Sequence, residues 1–436
     1  MSGVIQGVCG SGAVATGRAV GHMRGLENTS DRGALRICVQ PPLRTQSLAH
    51  CIATLPGAGQ DKSKRLLRRR FAFQTVLYAE GVSYAEQTHT ERTDAIALLR
   101  KLIDIDSTTF HEGAAGLFLA EYLCARGFSV ETTPVQQPEG SSHTGERLNV
   151  YAAAQPGDPV VVLSTHMDTV PPWMPSREDE DWVYGRGACD AKGIIVAMIL
   201  AAEQLRERAV PVALLFVVGE ERDSAGAKVA NLRPRGSRFL INGEPTENRV
   251  AVASKGALRA SVRAQGTMAH SAYPELGDSA VHKLVRALDA ILDVPLPAVD
   301  DVGPSTLNIG LVEGGRAPNV IADEASALVL VRLVGPSTET RAAIEAAAAP
   351  HATVDFTLEI PFVRLRAIEG LPTMVAAFTT DIPALTEWGE PLLLGPGSIH
   401  VAHTPGERIA KADLWEAVSL YVAIAERLAA TVVTSQ

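Results

Sequence analysis

From about residue 93 the apolar positions fall into runs whose period switches between that of a helix and that of a strand. Residues 95–103 and 114–126 repeat apolar side chains at three- and four-residue intervals, which predicts amphipathic helices. Residues 148–153, 159–165, 212–218 and 238–241 are short apolar runs of strand length, and 190–206 is long enough for a buried helix. Strands alternating with helices predict an α/β fold, a mostly parallel sheet sandwiched by helices. Between 254 and 361 the rhythm changes to strands at 257–264, 306–312, 325–333 and 353–358, with helices at 279–292 and 338–348. That order suits a small α+β module inserted into the larger domain. The larger domain therefore takes residues 91–253 and 362–436, and closes on an amphipathic helix at 411–430.

Residues 1–90 show no such pattern. They are rich in Gly, Ser, Arg and Gln with only short apolar runs, so a disordered leader is expected there, with a transit peptide as the second reading. A chain begun near Val82 is expected to fold and function like the whole. A formal net charge of −9, 20% charged residues and no basic run beyond Arg68-Arg69-Arg70 argue against a nucleic-acid partner. No apolar stretch approaches the roughly 18 residues of a membrane span. Five scattered cysteines without a Cys-x-x-Cys spacing indicate neither a disulfide framework nor a thiolate metal site, and point to the cytoplasm.

The chemistry sits where the strands end. Ser164-Thr165-His166-Met167-Asp168 follows one apolar run, Glu220-Glu221 another and Gly243-Glu244 a third, while Asp190 opens the helix at 190–206 and His403 lies near the carboxyl end. In open α/β sheets ligands collect beyond the carboxyl ends of strands. Each residue has a plainer explanation: a satisfied polar His166, an N-cap at Asp190, a turn at Glu244, and His400 competes with His403. Adjacent carboxylates ending a buried strand, however, repel unless a cation or proton separates them, so one Glu can bind metal while its neighbour stays free as a base. Asp168 can hold the far ring nitrogen of His166, as a supporting carboxylate does for a metal-bound His. Together these oxygens and imidazoles make a ligand set for two divalent ions, zinc first and cobalt second.

These motifs resemble the dinuclear zinc metallohydrolases that include aminoacylases, acetylornithine deacetylase, succinyl-diaminopimelate desuccinylase and glutamate carboxypeptidases. The resemblance implies that His166, Asp190 and Glu244 bind one ion while Asp190, Glu221 and His403 bind the other. It makes Glu220 the general base and Asp168 the support of His166. The segment 266–274 resembles a lid motif whose His270, in dimeric relatives, reaches the partner subunit's site. Tyr273, in the same motif, and Asn319 and Arg332 are the expected substrate contacts. The loop 395–407 most resembles the acetylornithine deacetylase branch. The expected activity is removal of an acyl group from an N-acyl amino acid, N-acetylornithine first, by a homodimer joined through the lid. The alternatives are a carboxypeptidase or dipeptidase acting on short peptides, or a succinyl-diaminopimelate desuccinylase. Two other classes remain: an inactive metal-binding interaction protein, and a thiol enzyme using Cys189.

Overall fold

The computed structural model describes residues 88–433, so the readings of the leader before Thr88 lie outside the described residues. In chain order the elements that place the site are α1 (His89–Asp104), α2 (Gly113–Ala125), β1 (Ser129–Pro134), β2 (Leu148–Ala153), β3 (Val161–His166), α3 (Lys192–Glu207), β4 (Val212–Val217) and β5 (Phe239–Asn242). The middle segment adds β6 (Gly256–Gln265), α4 (Ala280–Leu292), β7 (Thr306–Gly314), β8 (Glu324–Leu333), α5 (Thr338–Ala348) and β9 (Thr353–Ile360). The chain then returns through β10 (Glu390–Leu393) to α6 (Lys411–Val433).

The main sheet has the order β1-β2-β4-β3-β5-β10. Its four strands β4, β3, β5 and β10 run parallel, and β2 joins β4 antiparallel. β3 and β4 are buried at every position because helices cover both faces. Helices α3 and α6 pack together on one face, and Trp388, Leu385 and Ala227 close over Val162, Leu215 and Leu240 on the other. Segment 254–361 carries a separate antiparallel sheet, β7-β8-β6-β9. Its core of Leu258, Val262, Leu284, Ile291, Val329 and Ile344 lies beneath α4 and α5, which leaves the other face open.

Two elements escaped the apolar pattern. Helix α1 begins at His89, six residues before the apolar run, because Thr88 and Glu91 close a reciprocal capping box. Strand β1 is a half-exposed edge, Ser-Val-Glu-Thr-Thr-Pro, with too few apolar residues to register.

Loop 105–112 is fastened beneath the sheet end by a fully buried ion pair, Arg147 with Glu112, at 2.9 Å. Burial pushes the Glu112 carboxyl up, and the Arg147 hydrogen bonds oppose that shift. Arg147→Ala would leave a buried charge without its partner, which costs about 3–5 kcal/mol. Urea unfolding measures this. A loss below about 1 kcal/mol, the size of one ordinary hydrogen bond, would show that the pair is not what anchors the loop.

Candidate metal centre

Three neighbouring parallel strands deliver the acidic cluster. β3 ends at His166, β4 runs into Gly219-Glu220-Glu221, and β5 runs into Gly243-Glu244. Asp190 arrives just ahead of α3, and His403 comes from the loop between β10 and α6. Gly219 turns the chain at φ +83°, and a Cβ there would lie 2.5 Å from Arg147 Nη2, so only glycine fits this turn.

Asp190 is the hub. His166 Nε2 lies 3.0 Å from its Oδ1, and His403 Nε2 lies 3.2 Å from its Oδ2. His403 Nε2 is also 3.0 Å from Glu221 Oε1. Two overlapping donor groups result, His166 with Asp190 and Glu244, and Asp190 with Glu221 and His403, the atoms of each within 4.8 Å of one another. The first group is buried. The second opens outward through His403, whose side chain is 47% exposed. The backbone of His403 is left-handed, with φ +60°, a conformation that costs a non-glycine residue free energy and recurs at functional sites. His400, its competitor from the sequence, is exposed and stands outside both groups.

Asp168 does more than the sequence suggested. The His166 Nδ1 partner at hydrogen-bond distance is the Asp168 carbonyl, at 2.9 Å, while the carboxylate stands 3.6 Å away. That carboxylate instead accepts the backbone N–H groups of Gly219, Glu220 and Glu221 and the Thr109 hydroxyl. One buried residue therefore holds the ring of His166 through its carbonyl and the turn that carries Glu220-Glu221 through its carboxylate.

The charges are arranged for a cation. Burial raises the Glu220, Glu221 and Glu244 carboxyls, and neighbouring carboxylates add to the shift, Glu244 acting on Glu220 and Asp190 on Glu244 and Glu221. Asp190 is held below its ordinary range because His166 and His403 outweigh its burial. Glu244 Oε1 is buried without a hydrogen-bond partner. An unpaired buried oxygen among carboxylates and imidazoles fits a divalent ion of the zinc class, and a shared Asp190 fits two.

Hydrogen bonds to Asp190 and Glu221 raise His403 from 6.5 to about 10. In the metal-free protein this proton stabilises the fold fully below pH 6.5, and that contribution is lost as pH rises through about 10. A metal needs the neutral ring. Loading at pH 8 is therefore expected to release protons, seen as a dependence of the binding heat on the buffer's ionisation enthalpy. Equal heats in all buffers would contradict this charge state.

The inserted segment holds the remaining sequence candidates apart from this cluster. His270 lies on one strand of a small ribbon, with Ala269 opposite Ile321 and His270 opposite Val320, and the Asn319 carbonyl, in the turn before the second strand, accepts the Ser271 N–H. The Ala272 N–H donates to His270 Nδ1 at 3.1 Å, so neutral His270 carries its proton on the exposed Nε2. Tyr273 is 58% exposed. Arg332 is half-buried on β8, and burial lowers its pKa. Among the described residues Arg332 has no ion-pair partner, and no hydrogen bond joins any of these four to the five clustered side chains.

Three residues were not singled out in the sequence. Glu407 is buried, pairs with Arg186 at 2.6 Å and accepts the N–H groups of Gly187 and Asp190, which anchors the loop that carries Asp190. Thr109 holds Asp168. Asp381 is buried with neither carboxylate oxygen hydrogen-bonded, and burial raises it to about 7. Glu407 ends the loop 395–407; Asp381, before Ile-Pro, reads only as the start of a turn. Burial, Glu407 and Asp190 push the Cys189 thiol well up, which argues against a thiolate nucleophile.

A profile described as peptidase family M20/M25/M40 matches residues 162–427. A peptidase M20 domain-containing protein of Schizosaccharomyces pombe is 38% identical over 335 residues, covering 75% of this chain and 82% of its own. A probable carboxypeptidase of Aspergillus terreus is 37% identical over 361 residues, covering 74% and 83%. The crystal structure of a Staphylococcus aureus tripeptidase shares the fold with a TM-score of 0.65, at 22% identity over 78% of this chain and 98% of that one.

Proposed function

Because the chain belongs to peptidase family M20/M25/M40, we propose that it is a dinuclear metallopeptidase cleaving short peptides with a free carboxyl end, as a carboxypeptidase or dipeptidase. The observation that carries this reading is the pair of donor groups sharing Asp190 with Glu220 left over beside them. His166, Asp190 and Glu244 would hold one ion, and Asp190, Glu221 and His403 the other. Bound there, zinc-class ions supply Lewis acidity and lower the pKa of a water. Glu220 takes the proton of the attacking water at its carboxylate and returns it to the leaving amine. Burial suits it to that task by raising its proton affinity. Asp168 holds the turn beneath it.

Arg332 and Asn319, with Tyr273, are placed here as the contacts for the substrate, Arg332 taking its carboxylate by paired N–H donors. His270 offers an Nε2–H to the carbonyl under attack. We take 254–361 as the lid and dimerisation module of a cytoplasmic homodimer, and 91–253 with 362–436 as the catalytic domain. The sequence alone ranked deacylation of an N-acyl amino acid above peptide cleavage. A relative bearing a carboxypeptidase name reverses that order. The acetylornithine deacetylase reading keeps one support, the loop 395–407.

A turnover panel decides between them, with free dipeptides, the same dipeptides amidated at the carboxyl end, N-acetylornithine and N-succinyl-diaminopimelate. The proposal expects turnover of free dipeptides and its loss on amidation. Turnover confined to an N-acyl amino acid would replace it with the deacylase reading.

A further inference from the structure

Outside the acidic centre two imidazoles meet that the proposed reaction does not use. His111 Nε2 and His143 Nδ1 are 3.2 Å apart, at the junction of loop 105–112 with loop 137–147. The rings are edge-on, at 86°, with centroids 4.7 Å apart, closer than a collinear N–H···N bond would leave them. Both rings are held in place. Thr108 Oγ1 lies 3.3 Å from the far nitrogen of His111, Phe110 stacks on His143 at 5.1 Å, and the Arg147 guanidinium lies over the Phe110 ring. Gln137 Nε2 donates to the carbonyls of Phe110 and Gly145, which ties the two loops together. Phe110 takes a left-handed backbone, φ 84°, to reach its place.

We propose that His111 and His143 form a binding site for a single divalent ion of the zinc class, separate from the acidic centre. Two nitrogens bound to a tetrahedral zinc at about 2.0–2.1 Å stand roughly 3.3 Å apart, close to the separation found here. The Thr108 hydroxyl at the far nitrogen is the partner that orients a metal-bound imidazole. Water completes the coordination, so the ion binds and exchanges more readily than one in a closed protein cage. Loop 105–112 also carries Thr109, which donates to Asp168 at 2.9 Å, so this ion would sit on the loop that braces the acidic centre.

Titration of the full-length protein with zinc chloride against a chromophoric chelator tests this. The wild type is expected to bind one ion more than the double variant His111→Gln/His143→Gln. Each single substitution should lose the same ion, and Thr108→Ala should weaken it about tenfold. The difference between proteins carries the test, so it stands whether or not the acidic centre takes two ions. Equal stoichiometry in the wild type and the double variant would mean that the two rings only hydrogen-bond to each other, or that any extra ion sits adventitiously elsewhere. Equal melting temperatures of the metal-free proteins keep a folding defect from producing the difference.

Discussion

Glu220→Gln is expected to lower kcat by roughly 10²–10⁴ while metal content stays at the wild-type level. Glu220 lies outside both donor groups, yet its neighbour Glu221 is within one of them, 3.0 Å from His403. The amide keeps the volume and the backbone N–H bond to Asp168, and it removes only the ability to take a proton. Glu221→Gln is expected to lose metal as well as turnover, because the outer group then keeps only Asp190 and His403. Metal analysis beside kcat separates the two. Equal metal loss in both variants would show that the two glutamates do not divide the work.

His270→Ala should depress kcat by roughly 10²–10³ and leave metal content intact, as expected for a donor that acts on developing negative charge rather than on ground-state binding. His270 is exposed, its tautomer is set by the Ala272 N–H, and no hydrogen bond connects it to the acidic cluster of its own chain. The proposed role in a partner's site would account for that placement. Mixing His270→Ala with Glu220→Gln tests it: in a heterodimer one site carries both defects and the other neither, so turnover should return. Verified heterodimers that remain inactive would confine His270 to its own subunit.

Much of this was readable in the chain because burial imposes period. β3 and β4 are buried throughout, so their apolar runs stand out, and the residues that follow them fall at the strand ends where ligands collect. His166, Glu221 and Glu244 were legible for that reason, whereas Asp190 precedes α3 and His403 lies in the loop between β10 and α6. Edge strand β1 was not, since a half-exposed edge needs no apolar alternation, and the capping box at Thr88 lies ahead of the apolar run at 95–103. Glu407 acts through bonds to the backbone of Gly187 and Asp190, far away in the chain, and the burial of Asp381 is set by packing, neither of which local spacing encodes. Asp168 was assigned to the ring of His166 from its two-residue spacing. Its hold on the N–H groups of 219–221 depends on β3 and β4 being neighbours, which only the sheet order reveals.

The central claim is that peptide cleavage here depends on ions held around Asp190. The most direct test is turnover of a free dipeptide by the chelator-stripped protein, before and after zinc or cobalt is returned. The account predicts no turnover in the stripped protein and recovery that saturates as the two groups fill, with no recovery in Asp190→Asn. Undiminished turnover by fully stripped protein would contradict it.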